Sequence, residues 1–435
     1  TTLFLFLLNN SKPFHFVTLN NCIFQRNNAY FGAMYVIGQA ILIFKNSTFD
    51  SNIHSPCRGP TLAISLNDSK ITISNSAFIN NYCGAVSIRI SESSYFKIEN
   101  SIFVGNRRMN ASAGAMAIQT RRAYPDKTHT PLETTKYNVL IKNVSFEENI
   151  AISGSVLTIT NGKVELENCT FLNNFAHFKG GQITSIGSTY MKISNSVFME
   201  TVKTTLFSNG KLYTASGFLR IHSTGKLLLR NTSATANTRS DEPLILASKA
   251  TWVNIDSSSV TTCPFGSTIK RFSYHYKDID NQPVIVLDLS CKECGYNFYS
   301  LQRGYAKGIY ANKNYVCIPC PRGADCLPAI KSKTNFWGYP ISVNPLKLAF
   351  AICPFGYCKS PPSNSSEYNA CEGKRTGVMC GECSRGYTEA LWSTHCTSLE
   401  NCNDHWFWIA FLALVVSLAI LLVFKPPFIT YSLKQ

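Results

Sequence analysis

Paired carboxylates and closely spaced cysteines are the residues of this sequence best suited to chemistry. Glu147, Glu148, Glu165 and Glu167 come nearest to an acidic cluster. Two carboxylates projecting from neighbouring strands are the equipment of glycoside hydrolysis, one as acid and the other as base or nucleophile. Glu165 and Glu167 flank Leu166, so they share one outward face, whereas Glu147 and Glu148 fall at a turn. A solvated face accounts for the four better than a catalytic pair. His15, His54 and His177 have no recurring acidic partner, and no phosphate-cradling glycine loop, nucleophile elbow or metal motif occurs. No enzymatic activity, cofactor or metal is expected, and a carbohydrate-active lyase or glycosidase is the enzymatic alternative.

The chain has 17 cysteines. The crowded set is Cys291, Cys294, Cys317, Cys320, Cys326, Cys353, Cys358, Cys371, Cys380, Cys383, Cys396 and Cys402, in a stretch rich in Gly, Pro and Asn. Three C-x-x-C pairs have the spacing of zinc knuckles. A stretch with so few apolar runs builds little core, and in an exported chain cross-links do that work, so disulfides are expected. Their connectivity does not follow from spacing. Cys57 and Cys83 follow the same turn in adjacent repeats and form a candidate pair. Cys22 and Cys169 fall at a small inward position and are expected as buried thiols. Cys263 has no evident partner.

The elements that position these residues follow from a repeat. Seven segments align on Phe24, Phe49, Phe78, Phe103, Phe146, Phe171 and Phe198, spaced 25, 29, 25, 43, 25 and 27 residues apart. Three residues before each stands asparagine: Asn21, Asn46, Asn75, Asn100, Asn143, Asn168 and Asn195. Three residues after the first six stands another, Asn27 to Asn174, with Thr201 in the seventh. Positions minus five and minus seven are apolar throughout. A period of two means strands with one buried face. One such coil cannot bury that face alone, so coils must stack about 4.8 Å apart. The minus-three asparagines then form a column whose amides bond to each other, a structural ladder. The spacing predicts an all-β fold: a parallel β-helix over residues 1–262, about nine coils, with an insertion loop at about 121–138. A disulfide-rich irregular module follows at 263–404.

The pairing of F-x-x-N with a later G-G-A-[I/L/V] resembles the repeats of chlamydial polymorphic outer membrane proteins. The first half reads FQRN, FDSN, FINN, FVGN, FEEN and FLNN; the second reads FGAM from Phe31, CGAV from Cys83, AGAM from Ala113, SGSV from Ser153 and GGQI from Gly180. The resemblance covers residues 14–201 and implies a right-handed β-helix used for adhesion. The C-terminus departs from that family, having no outer-membrane barrel. The layout looks more like the β-helix surface proteins of multicellular animals, with cysteine-rich modules and transmembrane helices. Thr376-x-x-x-Cys380-x-x-Cys383-x-x-Gly386-Tyr387 resembles laminin-type EGF-like modules, and Cys317-Ile-Pro-Cys320-Pro-Arg-Gly resembles receptor-stalk repeats. Both imply a spacer rather than chemistry.

Residues 406–424 are apolar or small apart from Ser417, enough to span a bilayer core. Trp406 and Trp408 stand where aromatic belts form, and Lys425 and Lys434 lie beyond. The positive-inside rule places residues 425–435 in the cytoplasm, as a short tail or the start of a truncated region. The solenoid and cysteine module are then outside a plasma membrane. The chain begins at Thr1, and Leu3–Leu8 reads as a signal-peptide remnant or a strand of a preceding repeat; a longer parent protein is expected.

Lys and Arg number 41 against 25 Asp and Glu. The excess favours anionic partners. Acidic glycans or another surface protein are expected; no nucleic-acid-binding motif is present. Arg107, Arg108, Arg121 and Arg122 form a candidate anionic-ligand patch. Asn67, Asn110 and Asn364 head glycosylation sequons in loops, while Asn46, Asn143, Asn168 and Asn231 head sequons within the ladder and are expected bare. The leading function is membrane-anchored cell-surface adhesion or recognition, with a non-binding structural coat as a further alternative.

Overall fold

A strand that is apolar at every second position has one face to bury, and this chain buries it by coiling. The computed structural model describes residues 3–424, apart from 8–14, 29–31, 54–56, 58, 110, 122–137, 177–180, 201–205, 209–210, 214–216, 223–225, 237–242, 251, 278–282, 312–316, 327–329, 344–345, 360, 362–366, 391–392 and 402–404. Three long parallel ladders run up the solenoid, with a short fourth through Arg107–Arg108, Ile150–Ala151 and Phe175–Ala176. The first takes Leu3–Leu7, Met34–Gly38, Leu62–Leu66, Val86–Ser91 and Met116–Arg121 in succession. The second takes His15–Asn20, Ala40–Lys45, Lys70–Ser74 and the first half of Tyr95–Val104. The third takes Ile23–Gln25, Thr48–Asp50, Ala77–Ile79 and the second half of Tyr95–Val104. The result is the right-handed parallel β-helix that the repeat requires. Leu3–Leu7 is thus a strand of the first coil.

Register brings like to like. The phenylalanines stack ring on ring from Phe24 to Phe198, with centroids 4.3–5.2 Å apart. The column stops at Ala234, in register with Phe198. Phe218 fills the vacated space from a different position, its ring 5.7 Å from that of Phe198 and tilted by 49°.

Two asparagine columns flank this stack, and they differ from the expectation. The minus-three column is exposed. Its members hold left-handed φ values, from 49° to 55° across the seven coils. Amide bonds do link it: Asn143 to Asn100 at 3.0 Å, Asn168 to Asn143 at 2.8 Å, Asn231 to Asn195 at 2.9 Å. A left-handed φ alone does not demand asparagine, because position plus two is left-handed as well and holds Arg26, Ser51, Asn80, Gly105, Glu148 and Asn173. Minus three combines that φ with the inter-coil amide bond, and asparagine meets both demands.

The buried column is at plus three: Asn52, Asn81, Asn106 and Asn149 are fully inaccessible. Asn81 shows the pattern. Its Nδ2 donates to Asn106 Oδ1 and to the Phe49 carbonyl, both at 2.9 Å. Its backbone N–H donates to the same Oδ1 at 3.1 Å. Its own Oδ1 accepts two bonds from Asn52. Both donors and both lone pairs of the side chain are used. The column ends where Asn174 donates to Gln182 Oε1 at 3.4 Å.

Glycine in the later turn lets the next coil close. A Cβ at Gly114 would sit 2.6 Å from the Ser155 carbonyl, inside van der Waals contact.

The chain divides into two compact units, Thr1–Cys294 with Gln302–Cys317, and Gly295–Leu301 with Ile318–Gln435. The first therefore runs past residue 262, the boundary expected from the repeat. The last coil has open strand edges, and these must be covered. The hairpin of Ser267–Lys277 and Pro283–Glu293 covers them, pairing antiparallel with Ile245–Ala250. Arg303–Lys307 does the same for Val260–Phe265. Cys263, expected unpaired, bonds Cys291 within this cap, and Cys294 bonds Cys317. A repeat-based reading ends where the motif ends, so it assigned the cap to the module.

The second unit holds two small cores. One gathers Tyr299, Ala324, Cys326, Ile330 and Leu348; the other gathers Cys353, Cys358 and Cys380. Its disulfides join near neighbours: Cys320–Cys326, Cys353–Cys358, Cys371–Cys380 and Cys383–Cys396. Each C-x-x-C pair is split between two different disulfides, so those sulfurs are not free to hold zinc. Cys402 lies outside the described residues. Arg375 is the unit's buried cation, its side chain 1% exposed. Its guanidinium lies 3.4 Å over the Tyr357 ring and bonds Glu389 at 2.5 Å. The Tyr357 hydroxyl also donates to Glu389, and with Arg375 alongside holds that carboxyl below its usual range. The chain then forms a helix, His405–Phe424, long and apolar enough to cross a bilayer. The Ser417 hydroxyl is satisfied by the Ala413 carbonyl at 2.7 Å.

Two outcomes follow. Asn106→Ala orphans two buried donors of Asn81 and removes the donor to the Phe78 carbonyl. It should destabilise the solenoid by about 2–5 kcal/mol, whereas Asn143→Gly should stay within about 1 kcal/mol of the native chain. Thermal unfolding measures both, and the reverse ranking would refute the assignment of the two columns. The second concerns the two free thiols among the described residues. Cys169 is buried as expected, and burial pushes its thiol up to about 12. Cys22, expected buried too, is half-exposed because it stands in the first coil, with no described coil above it. Iodoacetamide should modify Cys22 in the native protein and Cys169 only after unfolding.

Candidate interaction surface

Because the inner columns are in register, outward side chains at a given offset also fall one above another. The offset eight residues before each phenylalanine is the informative one. It brings together Phe16, Ile41, Lys70, Tyr95, Asn138, Lys163, Tyr190, Lys226 and Trp252 on the second ladder. Their inward neighbours, from Leu42 to Leu227, are buried, so this row faces out. Phe16 is 65% exposed and Trp252 37%. From Lys163 onward aromatic and lysine alternate coil by coil, about 4.8 Å apart. Tyr190 and Trp252 are thus roughly 10 Å apart, two coil spacings.

The same face carries Lys45, Lys70, Lys97, Lys142, Lys163, Lys192, Lys226 and Arg230 against Glu99, Glu165 and Glu167. All three acids are ion-paired: Lys97 with Glu99 at 2.6 Å, Lys142 with Glu167 at 3.1 Å, Lys192 with Glu165 at 2.6 Å. The last two pairs bridge neighbouring coils. Burial also raises the Tyr95 pKa, so its phenol stays a neutral donor. The face is basic and aromatic-bearing, with Leu228 buried at its outward position between Lys226 and Arg230.

Glu165 and Glu167 share the outward face as expected, but of the two acids expected at a turn only Glu148 is there, and Glu147 ends the strand Val139–Glu147. Glu147 accepts from the Ser145 hydroxyl at 2.8 Å, and Glu148 holds a left-handed φ of 53° at the following turn.

The arginine patch does not assemble as one surface. Arg107 and Arg108 form a two-residue corner strand paired with Ile150–Ala151. Arg108 packs its stem on Gly84 and donates to the Ser112 carbonyl at 3.3 Å, and burial pulls its guanidinium below its ordinary pKa. Arg121 ends the strand Met116–Arg121, opposite Ser91. Five residues of strand, roughly 16 Å, separate it from the corner end of that strand. Arg122 lies outside the described residues, as does the rest of the insertion up to 137.

Cys57 and Cys83 are bonded, joining adjacent coils at the turn. Asn67 is exposed at the turn before Lys70–Ser74. Asn110 and Asn364 lie outside the described residues.

A family model for the right-handed β-helix region matches residues 5–198. It ends on the last stacked phenylalanine. No curated protein matches the chain, and no solved structure matches it.

Glycopeptide mass spectrometry of the chain expressed in animal cells should find Asn67 occupied. Asn46, Asn143, Asn168 and Asn231 should be bare, because each Nδ2 already donates to a neighbouring coil. Occupancy at Asn143 would show that the exposed column opens during maturation.

Proposed function

We propose that this chain is a membrane-anchored cell-surface recognition protein whose solenoid holds an extended acidic glycan along the aromatic and lysine row. The observation that carries the reading is the alternation of Lys163, Tyr190, Lys226 and Trp252 on successive coils. The apolar C–H face of a sugar ring packs on an aromatic ring, and a lysine one coil away meets a carboxylate or sulfate. A straight row at fixed spacing suits a polymer better than a compact ligand. The apolar helix and the disulfides support an exported, anchored protein with the solenoid outside. The repeats' likeness to chlamydial adhesion proteins, and the layout's likeness to animal surface proteins, agree with this role.

The hydrolytic alternative would use Glu165 and Glu167, two residues apart on this face. Both are ion-paired to lysines of the neighbouring coils, which supports a binding role. The test is binding of the detergent-solubilised chain to an array of sulfated, uronate-bearing and neutral glycans. Binding should select the acidic chains and weaken with salt. Tyr190→Ala with Trp252→Ala should reduce it by roughly tenfold or more, a loss of about 1.4 kcal/mol. Replacing Arg107, Arg108, Arg121 and Arg122 by Ala should leave it within about twofold. Equal binding to neutral glycans, or binding indifferent to the aromatic pair, would overturn the proposal. Release of shortened glycan would instead establish the hydrolase.

A further inference from the structure

The second unit carries an exposed apolar hairpin that none of the preceding argument uses. Phe336–Val343 and Leu346–Ile352 pair antiparallel, with a register shift between Pro340 and Ser342. Its base is anchored: Leu348 is buried, and its N–H donates to the Tyr299 hydroxyl at 2.8 Å. Its far half is not. Ile341 is 60% exposed and Val343 80%, and Tyr339, stacked on Trp337 at 6.0 Å, is 37% exposed. Three large side chains at every second residue of a free hairpin are more than scattered surface hydrophobics.

Charge points to what they meet. From residue 326 to 366 the chain has four lysines and no acidic residue. Lys331 pairs back to Asp325 at 3.5 Å, while Lys333 and Lys347 are exposed. Aromatic and aliphatic side chains beside lysines match the headgroup layer of a bilayer: apolar tips enter and ammonium groups meet phosphates.

The length of chain points the same way. The module's last strand ends at Ser398 and the apolar helix begins at His405. Six residues lie between them, and the seven Cα steps span at most about 25 Å. Trp406 and Trp408 sit at that end of the helix, 51% and 62% exposed, where a membrane interface would lie. The module is tethered within reach of the lipid surface, and an exposed apolar hairpin on it is within reach of lipid.

We propose that the Phe336–Ile352 hairpin is a second membrane contact, its Tyr339, Ile341 and Val343 tip seated in the headgroup layer of the leaflet nearest the module. This rests on the reading that His405–Phe424 spans the membrane. Seating the hairpin would give the module a second point of attachment to the bilayer besides the helix.

The test uses the full chain in phosphatidylcholine nanodiscs containing a diazirine-bearing phospholipid. After illumination, mass spectrometry maps the lipid adducts. Adducts are expected on the helix and on the hairpin. Ile341→Glu with Val343→Glu should cut hairpin adducts by roughly tenfold or more, leaving helix adducts and the disulfide map unchanged. Adducts confined to the helix would overturn the proposal and leave the hairpin to a protein partner. Adducts on neither would refute the spanning reading itself, and the hairpin contact with it.

Discussion

The solenoid depends on one buried amide column. Phenylalanine stacking runs through coil after coil beside buried aliphatic side chains such as Ile71 and Ile73, but apolar packing is weakly directional and does not by itself distinguish one register from a slipped one. The plus-three asparagines do. Each must give two side-chain hydrogen bonds and accept two in a space without water, and only one alignment of adjacent coils satisfies all four. A slip by one residue would leave several buried donors and acceptors unmet in every coil at once. The column is therefore a specificity device more than a source of net stability. Serines reinforce it at minus two, where Ser76 and Ser101 take the backbone N–H of the coil before.

A fixed register has a consequence outside the barrel wall. Surface side chains become columns too, so a substitution in one coil acquires its meaning from the coils above and below. Glu165 and Glu167 take partners from the coil on either side, Lys192 and Lys142. The aromatic row arises in the same way. Tyr190 and Trp252 lie 62 residues apart in sequence, yet two coils apart in space.

Much of this was legible in the sequence, and the misses have two causes. Phenylalanine spacing fixed the coils, the period of two fixed which residues point inward, and the turn position fixed Cys57 beside Cys83. The reading chose the minus-three asparagines as the ladder because they are invariant, whereas plus three lapses once, at Thr201. Invariance marked the left-handed turn, and burial marked the other column; sequence counts the first and not the second. The minus-eight row was within reach, since its offset is fixed by the same frame, but it varies between aromatic, lysine and aliphatic residues and so shows no motif. Cys263 and the cap eluded a repeat-based reading for a different reason: antiparallel pairing with the last coil is non-local and carries no repeat.

The way the ladder ends shows how far the frame extends. At the position before the first-ladder strand stand Ala33, Thr61, Ala85, Ala115 and Val156, and then Gln182. Glutamine at this site reaches the final asparagine and accepts its free N–H. Its own Nε2 is buried without a described partner. One coil later the same position holds Phe218, which fills the space left by Ala234. The polar column is thus exchanged for an apolar plug within two coils, and beyond it the chain needs neither F-x-x-N nor asparagine to keep stacking. Leu227 and Leu229 continue the inner face, and the antiparallel hairpin closes it with Leu287 and Leu289. The repeat motif sets register where many coils must agree; near the end a cap does so instead, because an antiparallel hairpin bonded to the last strand leaves no further register to choose.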